Sequence, residues 1–295
     1  MRLLPFRQSW AGGIAILLLV AALFIFLRQA FAGLIFISPI FLNLGWVEIR
    51  WYGVFASLGI LIGFPWLLRR ANRFGLTSQA KLELVIWWAI GGGVIGARAV
   101  YVLQNSASYF AQPASILAIA DGGLSIHGML LGGIIIGAIA ARRLAVPFWR
   151  FADSAVPPLL TGMILGRFGN FTNGELIGYP TNLPWKMFVA VMDRPLAYAG
   201  NVFFHPIFLY DAILNSMLLV VLIRTEISCR FKGEQLFRFL VGISCTRFVV
   251  EFWRINEPSS LHAFSSAQAV SIIIAFVSIV IIVLGRRQKL RFERI

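Results

Sequence analysis

Long apolar runs separated by short polar segments fill almost the whole chain. Each run is close to the ~20 apolar residues that an α-helix needs to cross ~30 Å of hydrocarbon. The runs lack the two-residue alternation of membrane β-strands, so the pattern predicts an all-α protein, a polytopic bundle of transmembrane helices. The predicted spans cover residues 11–28, 50–68, 82–104, 122–142, 150–171, 205–224, 234–254 and 266–285.

The composition of the 295 residues agrees with this pattern. Hydrophobic residues make up 59% of the chain and charged residues only 13%, and the mean hydropathy is +0.83. A water-soluble globule of this length needs more polar surface than such a chain supplies. The composition therefore favours a single lipid-solvated bundle over several soluble domains.

The net charge of +14 raises the question of a nucleic-acid partner. With the N-terminus in the cytoplasm, however, 18 of the 26 Lys and Arg residues fall on the cytoplasmic side of the predicted spans, as the positive-inside rule requires. They lie in short loops and form no continuous basic patch, so nucleic acid is not expected as a partner. These residues are Arg2, Arg7, Arg69, Arg70, Arg73, Lys81, Arg142, Arg143, Arg150, Arg224, Arg230, Lys232, Arg238, Arg286, Arg287, Lys289, Arg291 and Arg294.

Residues 1–32 combine a basic start, an apolar run of ~17 residues and the small-x-small pattern Ala30-Phe31-Ala32. These features fit either a cleaved signal peptide or a retained signal-anchor helix. The apolar run is long for a signal peptide, which favours retention. In both cases the chain from Gly33 onward begins outside the cytoplasm.

The longest polar interruption on the predicted outer side covers about residues 173–204 and contains Pro180, Pro184 and Pro195. It has few long apolar runs, so we expect it to form a small extracytoplasmic cap. A cap beside polar residues at the membrane edge would let a soluble substrate meet a lipid.

Polar side chains are concentrated where the predicted spans end on the outer side. Unpaired polar groups in hydrocarbon cost several kcal/mol, so such residues need a partner, a water-filled cavity or a ligand. Arg247, Glu251 and Arg254 follow the spacing of one helical face, which fits either a self-neutralising salt-bridge ladder or a site with surplus positive charge. Arg98 and Arg167 have no carboxylate within a helical turn, and an anionic lipid phosphate would match their guanidinium groups.

Four other polar residues each have two interpretations. His127 is flanked by glycines and can accept a proton near neutral pH, although a hydrogen-bonded core histidine fits the same pattern. Asn170 and Asn173 can contact a substrate or close a helix end. Tyr52 can act in a site or belong to the aromatic belt at the membrane surface.

The two cysteines show no disulfide framework and no metal-binding spacing. Cys229 is predicted in a cytoplasmic loop and Cys245 inside a span. Either thiol could be a nucleophile, but a small apolar packing role is favoured for both.

Residues 166–175 read GRFGNFTNGE, and this segment resembles the signature of the prolipoprotein diacylglyceryl transferase family, whose pattern is close to GRxGNFxNGExxGxxT. Further matching positions extend the resemblance over about residues 39–290. They are Arg50-Trp51-Tyr52-Gly53, Gly96, Arg98, Asp121-Gly122-Gly123, Ser125, His127-Gly128, Gly178, Thr181, Pro184-Trp185, Arg247, Glu251 and Arg254. The combination of several separate motifs makes the resemblance specific.

The resemblance implies a bacterial enzyme of the cytoplasmic (inner) membrane with seven family helices, to which this chain adds one N-terminal hydrophobic helix. Such enzymes move the diacylglyceryl group of the membrane lipid phosphatidylglycerol to the lipobox cysteine thiol of a prolipoprotein and release glycerol phosphate. Residues 33–290 would form the transferase domain, including the cap, and residues 291–295 a cytoplasmic tail. The active site would face the outer leaflet, and no cofactor or metal is expected.

The resemblance also implies roles for individual residues. Arg167 and Arg247 would face the lipid phosphate, and Tyr52 and His127 would be catalytic or lipid-positioning residues. His127 is the candidate base for the thiol. The expected substrate-binding residues are Arg98, Asn170, Asn173, Gly174, Glu175, Tyr210, Glu251 and Arg254.

Two segments depart from the family's pattern. The family commonly has an arginine before His-Pro and a Ser-Gln-Leu-Tyr-Glu run after it, whereas here Phe204 precedes His205 and Asp211 stands in place of the glutamate. The usual R-x-P-D end of the seventh family helix is replaced by the run from Arg254 to Pro258. These departures leave open a diverged paralogue that binds or transports lipid without transferring it.

Overall fold

The computed structural model describes residues 10–35, 37–45, 47–106, 109, 112–117, 123, 125–255 and 264–288. Among these residues, the apolar runs form eight α-helices. They are α1 (Trp10–Phe31), α2 (Trp51–Arg73), α3 (Gln79–Gln104), α4 (Ile126–Arg143), α5 (Phe148–Thr172), α6 (Ile207–Thr225), α7 (Glu234–Val250) and α8 (Ser266–Gln288). Several residues discussed above lie outside the described residues, namely 1–9, Asp121, Gly122, the run from Asn256 to Pro258, and 289–295.

Each of the eight predicted spans overlaps one of these helices over most of its length. By length and composition, four of the described helices can cross a membrane: α2, α3, α6 and α8. The prediction of a helical membrane protein is therefore confirmed. Membrane crossing by the other helices stays a prediction.

Two small antiparallel sheets accompany the helices. β1 (Ile40–Asn43) pairs with β2 (Glu48–Arg50), and β5 (Phe203–Pro206) lies between β3 (Ile177–Pro180) and β4 (Met187–Phe188). The all-α prediction was therefore incomplete. Such short strands give no detectable alternation of polar and apolar positions in the sequence.

The chain divides into two compact units. Unit 1 comprises Met1–Ile60, Thr161–Val220 and Val241–Phe276, and unit 2 comprises Leu61–Leu160, Val221–Leu240 and Val277–Ile295. Both sheets belong to unit 1. The buried core beside the three-stranded sheet contains Phe31, Met187, Val189, Phe204 and Phe208.

Unit 2 is organised around the packing of α3 against α4. At Gly96 and Gly128 the two backbones approach so closely that a Cβ atom at either position would overlap the carbonyl oxygen of the other. Gly92 and Gly132 meet in the same way about one turn away. Small residues allow such backbone contact between helices in a membrane, and here they fix the start of α4, where His127 lies.

Charged residues at the predicted cytoplasmic ends of unit 2 are paired with each other. Nη2 of Arg238 lies 2.6 Å from Oε1 of Glu234, which also pairs with Arg286. Nη2 of Arg70 lies 2.8 Å from Oε1 of Glu226. Each of these two carboxylates thus pairs with at least one arginine of the same unit.

Candidate active site

Two arginines of unit 1 are held by buried carboxylates. Nε of Arg167, near the end of α5, lies 3.2 Å from Oδ2 of Asp211 on α6. Nη2 of Arg247, on α7, lies 3.0 Å from Oε2 of Glu251. The two acidic side chains are each 3% exposed, whereas those of Arg167 and Arg247 are 21% and 30% exposed. Each carboxylate therefore contacts one edge of a guanidinium group whose side chain keeps an exposed surface.

Asp211 is a site residue that the sequence interpretation missed. The sequence offers Arg167 no carboxylate within a helical turn, and Asp211 reaches it from another helix. The charges of Arg247, Arg254 and Glu251 also interact with Asp211. The signal in the sequence was an acid within the apolar run of α6, since a charge in such a run requires a partner.

The prediction that Arg247, Glu251 and Arg254 share one helical face is wrong for Arg254. α7 ends before Glu251, which opens a single 3₁₀ turn, and Arg254 has an extended backbone with φ −84° and ψ 137°. Arg254 instead forms a β-bridge with Gly178, and this pairing takes its backbone out of the helix. Its charge still interacts with both ion pairs. We refer to the five residues as the arginine cluster: Arg167, Asp211, Arg247, Glu251 and Arg254.

The arginine cluster contains more basic than acidic groups. Three guanidinium groups accompany two carboxylates, so one positive charge is in excess when both acids are ionised. A self-neutralising ladder accounts for the pair of Arg247 and Glu251 but not for the whole cluster. Surplus guanidinium charge with an exposed surface favours an anionic ligand.

The segment that follows α5 is folded around Glu175. The Glu175 carboxylate accepts a hydrogen bond from Nδ2 of Asn170 at 2.8 Å and one from Nδ2 of Asn173 at 3.3 Å. Gly174 has a φ of +68°, which glycine adopts without strain, and a Cβ atom there would lie 2.9 Å from Cγ of Asp193. The asparagines thus close the helix end. The structure gathers four predicted site residues, Asn170, Asn173, Gly174 and Glu175, in one turn, which we call the 170–175 turn.

Tyr52 lies at the start of α2, against the helix that carries Arg167. A Cβ atom added to Gly169 would lie 2.8 Å from Cδ2 of Tyr52. Tyr52 is 39% exposed, so its side chain is not enclosed by protein. Because Gly169 lies between Arg167 and Asn170 in the sequence, this contact places Tyr52 against the turn of α5 that carries both residues.

Tyr210 belongs to a hydrogen-bonded chain of three aromatic side chains. Nε1 of Trp185 donates to the Tyr210 hydroxyl at 2.7 Å, and this hydroxyl lies 2.9 Å from Nδ1 of His205. The Tyr210 hydroxyl accepts the indole N–H and can donate its own proton to Nδ1 of a neutral His205 ring; the tautomer of that ring sets the direction of the second bond. Burial lowers the pKa of His205 below its ordinary value, in agreement with that neutral state. His205 and Trp185 were not predicted as site residues, because motif positions do not reveal a hydrogen bond.

Arg98 lies in unit 2 and is 7% exposed. Its Nε donates to the carbonyl of Ile116 at 2.8 Å, and its Nη1 donates to the carbonyl of Gly123 at 3.0 Å. Its Cζ also lies 5.1 Å from the centre of the Tyr109 ring. These contacts tie Arg98 to the described residues 109, 116 and 123, and a direct role of Arg98 in substrate binding stays a prediction.

The backbone of His127 lies in the first turn of α4. Ser125 caps this helix, because its hydroxyl oxygen accepts a hydrogen bond from the backbone N–H of Gly128 at 3.5 Å. The side chain of His127 lies outside the described part of the structure. Its role as a base therefore stays a prediction.

The Cys229 thiol is held in its protonated form. Burial raises the pKa of Cys229 to about 12, and its Sγ donates to Oε1 of Gln235 at 3.4 Å. A protonated thiol is a poor nucleophile. For Cys229 the packing interpretation is therefore favoured over a nucleophilic one.

These observations define the class of the protein. It is a helical membrane protein whose partly exposed arginines are held by buried carboxylates, an arrangement suited to an enzyme that acts on an anionic lipid. The chain belongs to the prolipoprotein diacylglyceryl transferase family, because the family model of that description matches residues 39–284.

Curated relatives agree with this assignment. A phosphatidylglycerol–prolipoprotein diacylglyceryl transferase from Synechococcus elongatus is 38% identical over 246 residues, which cover 81% of this chain and 84% of the relative. The enzyme of that name from Thermotoga maritima is 35% identical and covers 92% of this chain and 93% of its own. The one from Thermotoga petrophila is 34% identical and covers 99% of each chain. The similarity therefore extends over almost the whole chain.

Proposed function

We propose that the chain transfers the diacylglyceryl group of phosphatidylglycerol to the lipobox cysteine of prolipoproteins and releases glycerol phosphate. The name shared by the relatives supplies the lipid and the acceptor. The observation that carries the proposal is the arginine cluster, in which Arg167 and Arg247 contact buried carboxylates and keep exposed surface. A phosphodiester headgroup is an anion of the kind that such arginines bind.

The transfer requires one C–O bond to break and one C–S bond to form. The cysteine thiolate attacks the primary glyceryl carbon of the lipid, and the electron pair of the C–O bond leaves with the phosphate of glycerol phosphate. Negative charge on this phosphate increases as it departs. Interactions that strengthen with the developing charge accelerate the chemical step, and this is the role that we assign to Arg167 and Arg247.

A base must accept the proton of the attacking thiol. A thiol with a pKa of ~8.5 is only a few per cent ionised at pH 7. We assign the base to His127, at the start of α4, because a neutral imidazole accepts a proton in this pH range. We assign lipid positioning to Tyr52 and the 170–175 turn, which lie together in unit 1.

We also propose that all eight helices cross the bacterial inner membrane, as seven family helices plus α1, with a cytoplasmic N-terminus. Arginines occupy the last turns of α2, α4, α6 and α8, which are the predicted cytoplasmic ends of these helices. The 170–175 turn follows the end of α5, which this topology places on the outer side of the membrane. The site would therefore face the outer leaflet. Residues 173–204 would then form the cap of a transferase domain that covers residues 33–290.

The proposal is tested by mixing the purified protein, in vesicles that contain phosphatidylglycerol, with a peptide that carries a lipobox cysteine. We expect the peptide to gain the mass of one diacylglyceryl group and one glycerol phosphate to be released per modified peptide. The same peptide with serine in place of cysteine is the matched control and should gain no mass. A protein that binds phosphatidylglycerol but forms neither product would contradict the proposal and would fit the lipid-binding paralogue.

A further inference from the structure

The C-terminal end of α1 is buried, unlike the preceding turns of the same helix. Ala30 and Phe31 are 6% and 9% exposed, whereas Leu23 and Phe24 are 46% and 67% exposed. A helix that serves only as a membrane anchor would remain in contact with lipid along its length. α1 also precedes residue 39, where the family match begins. Its buried end is therefore a feature that the family model does not describe.

Phe31 belongs to an aromatic cluster with Phe171 and Phe208. Its ring centroid lies 5.9 Å from that of Phe171 and 6.0 Å from that of Phe208, in both cases edge to face. Phe171 and Phe208 stack on each other with their centroids 4.4 Å apart. Aromatic pairs of this geometry contribute more than their apolar burial alone, so Phe31 completes the cluster from the side of α1.

The other two rings of this cluster are connected by the chain to the candidate active site. Phe171 directly follows Asn170 in the 170–175 turn. Phe208 lies on α6 in the turn that precedes Asp211, the partner of Arg167. A displacement of either ring would therefore move backbone that carries a site residue.

Gly33 continues the contact beyond the end of α1. Its φ is +74°, and a Cβ atom at this position would lie 2.8 Å from Cγ of Phe188 on β4. The backbone N–H of Gly33 donates to the carbonyl of Ala30 at 3.0 Å. Residues 30–33 thus form a compact turn that is packed on the three-stranded sheet.

We propose that α1 is retained in the mature protein and that Phe31 is a positioning residue for the active site. Ala30-Phe31-Ala32 matches the small-x-small pattern of a signal-peptidase site, but cleavage after Ala32 would remove Phe31 and open the aromatic cluster. The bond between Ala32 and Gly33 lies in an exposed turn, so the case for retention rests on the buried contacts of Ala30 and Phe31, which cleavage would remove. The positioning role rests on the proposed function, and the retention of α1 does not.

Retention is tested by the mass of the protein purified from bacterial membranes through a C-terminal tag. We expect the wild type to contain α1. An Ala32→Leu variant, which lacks the small-x-small pattern, should contain it as well. A wild type that begins at Gly33, with a variant that keeps α1, would overturn the proposal.

The positioning role is tested with Phe31→Ala, Phe31→Leu and the matched control Phe24→Ala on the exposed part of α1. In the transfer assay, Phe31→Ala should lower kcat about 10- to 100-fold with little change in KM, because misplaced groups slow the chemical step. Phe31→Leu should recover part of the rate. If Phe31→Ala does not fold in detergent, Phe31→Leu is compared with Phe24→Ala instead.

Equal kcat values in the Phe31 and Phe24 variants would overturn the positioning role. An inactive wild type would contradict the proposed function instead. In that case the mass of the purified protein would still decide whether α1 is retained.

Discussion

At the residue scale, the arginines of the chain differ in what they contact. Arg69 is exposed at a predicted cytoplasmic helix end, whereas Arg167 and Arg247 contact the buried carboxylates of Asp211 and Glu251. A guanidinium group held on one edge loses less conformational freedom when an anion binds to its remaining donors. The buried acids therefore prepare the two arginines for a ligand, as well as balancing their charge.

Lowering the pH should weaken the hydrogen-bonded chain that ends at His205. Burial lowers the pKa of His205 below 6.5, so the folded state favours the neutral ring, which shares a hydrogen bond with Tyr210. This stabilisation is present above the ordinary pKa and is lost as the pH falls through the lowered pKa, because the unfolded chain binds the proton first. We expect the Tm in detergent to fall between about pH 7.5 and pH 5, and to fall less in His205→Asn. Identical pH dependence in both proteins would contradict this role of His205.

The sequence singled out Arg167, Arg247 and Tyr52 as candidate site residues but did not assign their contacts. Motifs and hydropathy identify polar residues in apolar surroundings, and these residues stood out for that reason. The pairing of Arg167 with Asp211 depends on the distance between two helices, which neither spacing nor hydropathy encodes. The same holds for the contact of Tyr52 with Gly169.

At the element scale, the helices could be predicted and the strands could not. An apolar run of sufficient length has few alternatives to a helix in lipid, so each predicted span overlaps a helix. Strand pairing depends on partners that are distant in sequence, as in the β-bridge between Gly178 and Arg254. The sequence analysis applied helical spacing beyond Val250, where α7 ends. It therefore placed Arg254 on the helical face of Arg247, which is wrong.

The crossing of α3 and α4 should fail when a side chain is added at Gly96. A Cβ atom there overlaps the backbone of Gly128, whereas one at Gly91, on the same helix, has nothing within 4 Å. Overpacking of a close contact costs about 1–3 kcal/mol or more. We expect Gly96→Leu to have a clearly lower Tm in detergent than the matched control Gly91→Leu. Equal Tm values would show that the helices do not depend on this contact.

At the scale of the whole molecule, 18 of the 26 basic residues follow the positive-inside rule, and the three arginines of the cluster are among the eight that do not in the proposed topology. Arg167 and Arg247 lie toward the ends of α5 and α7, which this topology directs outward. Membrane orientation therefore does not explain them. Their buried partners and surplus charge favour a ligand-binding role instead.

One departure from the family's pattern, the aspartate at position 211, leaves the charge balance of the cluster intact. Asp211 stands where the family commonly has a glutamate, and it still forms the ion pair with Arg167. The substitution shortens the side chain without removing the negative charge. This favours an active transferase over a paralogue that has lost the reaction.

The claim that two arginines bind the departing phosphate is tested most directly by the transfer rates of arginine variants. Arg167→Ala and Arg247→Ala are compared with Arg69→Ala, which makes the same change in charge at an exposed position. We predict that each of the first two lowers kcat/KM about 100- to 1,000-fold and that Arg69→Ala stays close to the wild type. Folded Arg167→Ala and Arg247→Ala proteins that transfer diacylglyceryl groups at the wild-type rate would contradict the account.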